Sequence, residues 1–156
     1  MANEVDKAYI IERIADLKDK VLNDMSMEEL TLQTRLSKDV DEYDKKIRDD
    51  FGEIIEVKES KLAHVKVAKW LKEEGKQEND LNTWEKGCYV KYIVVEHKPK
   101  IQAISIYQYD NKYDSTYYWN VRVYAILQRI LDVVFPEHDW EQYKIPVKRV
   151  SRRKKT

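Results

Sequence analysis

Apolar residues return every three or four positions near the start of the chain, which is the spacing of an amphipathic helix. Asn3 is a residue type that caps helices, and the apolar positions behind it fall on one face: Ile10, Ile14, Leu17 and Val21. We predict a helix from Asn3 to about Asn23. Ser26 and Glu29 have the spacing of a capping box, which predicts a further short helical turn.

Two later stretches have the same helical spacing. Between Ser60 and Glu74 the apolar positions advance by three, and Gly75 follows as a stop signal. After Asp114, a capping residue, a last helix is predicted that ends before Pro136. The expected buried positions of these two helices are Leu62, Val65, Ala68 and Leu71 in the first, and Val121, Tyr124, Leu127, Leu131 and Val134 in the second. Residues 138–143 are interpreted as one more turn.

The period changes to that of β-strands in three other segments. Residues 30–36 alternate between apolar and polar side chains, as a half-buried strand does. Residues 87–95 and 100–109 are rich in β-branched and aromatic side chains and are separated by a short polar link, which predicts an antiparallel pair. The charged segment 37–60 is interpreted as a loop with a helix around residues 41–50. The fold class predicted is α+β, mainly helical, with a small antiparallel sheet.

Length and charge narrow the function only in part. The 156 residues fit one domain or a detached piece of a larger enzyme, and 29 basic residues balance 29 acidic ones. Residues 144–155 nevertheless carry seven Lys or Arg and no acid, which predicts that this end meets something negative. We expect a domain over residues 1–143 and a basic tail over 144–156. The single Cys88 excludes an internal disulfide, and the absence of a long apolar run or a leader pattern predicts a cytoplasmic protein without a membrane partner.

No self-contained active site is predicted. The three histidines lie far apart and in no metal-ligand spacing, and the three glycines cannot build a phosphate-binding loop. Neighbouring carboxylates such as Asp49 and Asp50 are interpreted as solvated surface charges. We therefore expect no catalytic residue, no metal site and no cofactor in this chain.

Four blocks, in order along residues 5–135, resemble the thumb of family B DNA polymerases, particularly the archaeal ones. They are Ser-Lys-Asp-Val-x-x-Tyr at 37–43, His-Val-x-x-Ala at 64–68, Gly-x-x-Val-x-Tyr-Ile at 87–93 and Asp-x-x-Tyr-Tyr at 114–118. In such enzymes the palm, fingers and exonuclease regions precede the thumb, and this chain has no counterpart of their metal-binding motif. The resemblance implies the thumb of a split polymerase as a separate small subunit. Its expected partners are a larger polymerase subunit that binds Mg²⁺ and a primer-template duplex DNA.

The chain departs from the family pattern at several places. Residues 45–60 look like an insertion of unknown role, and Arg122 and Ala125 stand where the family has Gln and Pro. The family's sliding-clamp motif is missing after Gln142, so the sequence gives no support to clamp binding through this tail.

A thumb must hold duplex DNA of any sequence, so contacts to phosphate and sugar are expected to dominate. Lys66, Lys69 and Lys72 advance by threes and form either a DNA-binding ridge or a solvated face. Tyr117 and Tyr118 either brace the turn next to Lys112 or lie against DNA. The candidate DNA-binding residues are Lys38, Tyr43, His64, Lys66, Lys69, Lys112, Tyr117, Tyr118, Lys148, Arg149, Arg152 and Arg153.

The alternative is a protein of another class. The formal net charge of zero favours a non-catalytic interaction or regulatory protein that binds a protein partner and not DNA. For the polymerase subunit, the first helix and its apolar face are the candidate surface for docking to the larger subunit, because a thumb must join a palm at its start.

Overall fold

The first two helices begin where the sequence predicts. In the computed structural model, which describes residues 3–76 and 82–147, helix α1 spans Glu4–Asn23. The Asn3 side chain accepts a hydrogen bond from the Asp6 amide at 3.0 Å, and Asp6 accepts one from the Asn3 amide at 3.4 Å. Helix α2 spans Met27–Leu30, and Ser26 and Glu29 exchange two such bonds at 3.2 Å. The predicted Asn3 cap and the predicted Ser26 capping box are both confirmed.

The described residues form two compact units of an α+β fold. The first unit comprises residues 3–30, 96–100 and 113–147, and the second comprises 31–76, 82–95 and 101–112. The first is helical, whereas the second holds the strands, so helices and sheet are largely segregated.

The last helix of the first unit changes its winding after one turn. It runs from α4, Ser115–Tyr117, through a π-helical turn, Tyr118–Val123, into α5, Tyr124–Val134. Asp114 caps it as predicted, because its side chain accepts a hydrogen bond from the Tyr117 amide at 3.0 Å.

The π-helical turn changes which residues of the last helix are buried. A π turn holds an extra residue, so the positions beyond it rotate relative to an uninterrupted α-helix. Trp119, Tyr124 and Leu131 are buried, whereas Val121 and Val134 are 48% and 47% exposed. The prediction that Val121 and Val134 belong to the buried stripe is therefore wrong.

Aromatic side chains dominate the core of the first unit. Trp119 stacks on Tyr124 with ring centroids 5.0 Å apart, and the Tyr124 hydroxyl donates to the Trp140 carbonyl at 2.8 Å. The predicted turn near the end of the chain is present as a 3₁₀ turn, Glu141–Tyr143. Beyond it, Ile145 remains attached, because its amide and carbonyl both bond the Asn120 side chain.

The apolar face of α1 belongs to this same core. Ile14 and Val21 are 4% and 1% exposed, and the Tyr113 hydroxyl donates to the Val21 carbonyl at 2.8 Å. The first unit itself thus covers Ile14 and Val21, whereas Ile10 and Leu17 are half-buried, and docking of a partner through this helix stays a prediction.

A three-stranded sheet and one helix form the second unit. The strand order is β1–β4–β5, with β1 at Leu32–Arg35, β4 at Tyr89–Glu96 and β5 at Gln102–Ser105. Strands β1 and β4 are antiparallel, with Leu32 opposite Tyr92. Helix α3, Ala63–Glu73, packs against β5, and one core cluster joins helix, sheet and loop: Leu36, Val40, Val65, Val67, Ala68, Leu71 and Val90. The predicted strands and this helix are confirmed, with narrower bounds. Leu62 precedes the helix and is 51% exposed, so the prediction that it is buried is wrong, and the second half of the predicted strand 100–109 is a 3₁₀ turn, Ile106–Gln108.

The segment between β1 and α3 differs from its prediction. It contains a 3₁₀ turn, Val40–Tyr43, and then an antiparallel hairpin of β2, Lys45–Arg48, and β3, Ile54–Lys58. The predicted helix around residues 41–50 is therefore wrong. Gly52, at φ +81°, closes the hairpin loop in the left-handed conformation that favours glycine. The β-branched residues Ile54, Ile55 and Val57 also favour a strand.

Candidate nucleic-acid interface

The loop after β1 is held in place by its own backbone and by one carboxylate. The Leu36 amide donates to the Cys88 carbonyl at 2.9 Å, and the Gly87 amide donates to the Leu36 carbonyl at 2.8 Å. Asp39 accepts a hydrogen bond from the Lys86 amide at 2.7 Å. The segments that contain the blocks at 37–43 and 87–93 are thus hydrogen-bonded to each other in the second unit, through Leu36 and Asp39 on one side and residues 86–88 on the other.

Tyr43 organises a small polar cluster at the end of this loop. Its hydroxyl accepts a hydrogen bond from the Ser37 amide at 2.8 Å and lies 2.9 Å from the Ser37 hydroxyl. The Lys38 ammonium lies 4.9 Å from the Tyr43 ring centroid, and the His64 ring meets the same ring edge-on at 6.1 Å. We call Ser37, Lys38, Tyr43 and His64 the Tyr43 cluster. Three predicted site residues, Lys38, Tyr43 and His64, are therefore brought together.

The positive charge of the Tyr43 cluster comes from Lys38. Burial lowers the pKa of His64 below its ordinary value of 6.5, because desolvation disfavours the imidazolium form. His64 is thus neutral at neutral pH and can exchange one hydrogen bond through each ring nitrogen. The Tyr43 ring face attracts the ammonium of the half-buried Lys38 side chain and limits its motion.

The lysines along α3 differ in their exposure and in whether they form an ion pair. Lys66 is exposed. Lys69 bonds the Asp44 carboxylate at 2.5 Å, with side-chain exposures of 18% and 14% for the two residues. This bond is the main cause that lowers the pKa of Asp44, so the Asp44 carboxylate is ionised at neutral pH. Lys72 pairs in the same way with Asp41.

These pairs change the expected DNA-binding ridge. A phosphate would have to displace Asp44 from Lys69, and the half-buried carboxylate would then lose its counter-charge. We therefore remove Lys69 from the candidate surface and keep Lys66. Sequence reasoning missed Asp41 and Asp44, because each pairs with a lysine more than twenty positions away and no local pattern marks such a contact.

Tyr117 and Tyr118 lie in the core of the first unit. They are 8% and 2% exposed, and the Tyr118 hydroxyl donates to the Leu30 carbonyl at 2.7 Å. Tyr117 meets the Tyr118 ring edge-on at 5.5 Å and the His97 ring at 5.7 Å. The expectation that these two tyrosines contact DNA is therefore not met, since their rings are covered by protein.

Five predicted DNA-binding residues remain, namely Lys112 and four basic residues of the tail. Lys112 is exposed in the second unit and follows Asn111, which has φ +70°. Lys148, Arg149, Arg152 and Arg153 lie outside the described residues.

Residues 3–76 and 82–147 provide neither a metal-binding group of side chains nor a membrane-spanning helix. Within these ranges the structure contains no group of three or more His, Cys, Asp or Glu side chains arranged to hold a metal ion. Nor does any helix there have the length and apolar character needed to cross a bilayer.

Comparison with known proteins yields no family assignment. No protein-family model matches the chain. No curated protein matches it significantly in sequence.

Proposed function

We propose that this chain is the duplex-gripping thumb subunit of a split family B DNA polymerase and works in the cytoplasm. A larger subunit with palm, fingers and exonuclease would complete the enzyme and hold its Mg²⁺ ions. The observation that carries the proposal is the Tyr43 cluster. Lys38, Tyr43 and His64 come from two separate thumb-like blocks of the sequence and meet in one place, where the half-buried Lys38 side chain lies over the Tyr43 ring.

The proposed role of the chain is to hold DNA, and the chemistry takes place elsewhere. Lys38 and Lys66 would contact phosphate oxygens, which every DNA sequence presents alike, so the grip would be independent of sequence. His64 would add a neutral hydrogen bond and Tyr43 would fix the geometry. Nucleotidyl transfer by two metal ions would belong to the larger subunit.

A second candidate function is supported by the ion pairs on α3. Because Lys69 and Lys72 are neutralised by Asp44 and Asp41, this helix offers less free positive charge than its sequence indicates. That favours a non-catalytic interaction protein, which binds a protein partner and has no affinity for DNA.

Salt-dependent binding of a fluorescent primer-template duplex by the full chain separates the two functions. For the thumb subunit, the logarithm of affinity falls with the logarithm of salt, and Lys38→Ala and Lys66→Ala each reduce the slope by about one. Lys69→Ala leaves the slope unchanged, and Lys100→Ala, at an exposed lysine of the first unit, is the matched control. Absence of DNA binding at low salt, alone and with the larger subunit, would refute the thumb function.

A further inference from the structure

The hairpin of β2 and β3 stands out from the second unit with apolar side chains in solvent. Phe51 in its loop is 91% exposed, and Ile54, Ile55 and Val57 are 45%, 64% and 49% exposed. All five residues of β3 are exposed, so the rest of the second unit covers neither face of this strand. A two-stranded hairpin without a covering layer is marginally stable in water, and exposed apolar clusters mark interaction sites.

The hairpin loop that carries Phe51 is nevertheless well defined by hydrogen bonds. The Asp49 side chain accepts hydrogen bonds from the Phe51 and Glu53 amides at 2.9 and 3.0 Å. The Gly52 amide donates to the Asp49 carbonyl at 3.1 Å, and the Arg48 guanidinium donates to the Gly52 carbonyl at 2.7 Å. The backbone that presents the Phe51 ring is therefore organised before any partner arrives, which lowers the entropy lost on binding.

The base of the hairpin is anchored to α3. Asp44, which precedes β2, accepts hydrogen bonds from the Ser60 amide at 3.0 Å and from Lys69 at 2.5 Å. One carboxylate thus joins both ends of the hairpin to the helix. The hairpin is held at its base while its loop remains in solvent.

The charge of the loop indicates the chemistry of its partner. The loop around Phe51 contains three acids, Asp49, Asp50 and Glu53, and one neighbouring base, Arg48, whose guanidinium donates to the Gly52 carbonyl. The three lysines of the hairpin lie toward its base. Hairpin arms that wedge apolar side chains into DNA rely on cations to reach the phosphates, and these acids would repel them. An aromatic side chain flanked by acids instead suits an apolar pocket on a protein, with Lys or Arg at its rim.

We infer that the hairpin inserts Phe51 into an apolar, Lys- or Arg-rimmed pocket on the larger polymerase subunit. This inference rests on the proposed function, because that subunit is the polypeptide on which the thumb must be held. It gives residues 45–60 a role as a second attachment, one that recognises protein while the Tyr43 cluster faces DNA.

The test measures binding of the full chain to the purified larger subunit and, separately, to primer-template duplex. Phe51→Ser should weaken subunit binding at least tenfold, as loss of a buried aromatic anchor does, and leave DNA binding unchanged. Phe51→Tyr retains the ring and should restore most of the affinity. Asp50→Lys with Glu53→Lys should slow association and weaken the salt dependence of subunit binding.

Tyr107→Ser is the matched control, since Tyr107 is an aromatic residue of the same unit with 51% exposure. It should leave subunit binding unchanged. Because Phe51 is 91% exposed, Phe51→Ser should leave the thermal midpoint of unfolding unchanged. An unchanged midpoint shows that the variant is folded.

Four results would overturn the inference. If the larger subunit binds Phe51→Ser and the parent chain equally, the hairpin role fails and the proposed function survives. If the parent chain does not bind the larger subunit at all, both fail. A loss confined to DNA binding would make Phe51 a DNA wedge, and a Phe51-dependent dimer of the chain alone would assign the surface to a second copy.

Discussion

The ion pair between Asp44 and Lys69 offers a quantitative test of how the second unit is held together. We consider Asp44→Ala, Lys69→Ala and the double variant, which form a double-mutant cycle. Each single variant removes the shared bond, and Asp44→Ala also takes the acceptor from the Ser60 amide. The Ser60 contribution cancels in the cycle, because it is absent from both variants that lack Asp44.

The distance and the burial of the Asp44–Lys69 pair set the size of the coupling energy that we expect. Ion pairs in full solvent couple by about 0.2–1 kcal/mol. Here the two side chains are 18% and 14% exposed and the atoms lie 2.5 Å apart, so desolvation strengthens the bond. We expect a coupling energy of about 1.5 kcal/mol, as for other hydrogen bonds to charged groups. For a chain of this size, Lys69→Ala should then lower the thermal midpoint by about 3–6 °C.

Thermal and urea unfolding at neutral and acidic pH check both the size of the coupling energy and the direction in which it changes with pH. Because Lys69 lowers the pKa of Asp44 in the folded state, the coupling is complete above the ordinary Asp value of 3.8. It disappears as the pH falls through the lower folded-state pKa, where Asp44 becomes protonated. Stability from this pair is therefore lost toward acid.

Lys66→Ala is the control, because it makes the same change on the same helix at an exposed lysine. It should alter stability by less than about 0.5 kcal/mol. A coupling energy near zero, or equal effects of the two lysine variants on stability, would refute the assignment of Lys69 to the fold.

Two further changes test other parts of the structure. Tyr118→Phe leaves the buried Leu30 carbonyl without its donor and should cost about 1–3 kcal/mol in urea unfolding; unchanged stability would contradict the hydrogen bond. Gly52→Ala forces a side chain into φ +81°, although its Cβ would meet nothing within 4 Å. The strain of about 1 kcal/mol should loosen the hairpin loop and speed hydrogen exchange of the Phe51 and Glu53 amides. Protection equal to that of the parent chain would argue against a preformed loop.

Local signals predicted the helices and most of the strands. The Asn3 and Ser26 capping boxes and the Asp114 cap involve residues three positions apart, so the sequence contains everything needed to recognise them. The same holds for the alternation that marks β1. Prediction failed around residues 41–50, where dense charge hid the β-branched residues and the Gly52 turn that make a hairpin.

The sequence by itself therefore determined the α+β class and the order of the helices and strands outside residues 37–60. Tertiary structure decided which of the candidate side chains are available to a ligand. It left Lys66 exposed and Lys38 half-buried over the Tyr43 ring, neutralised Lys69 with Asp44, and buried Tyr117 and Tyr118. The physical reason is the sequence separation of the residues involved. Caps and periodicity depend on neighbours within one or two turns, whereas burial and ion pairing depend on residues that only folding brings together.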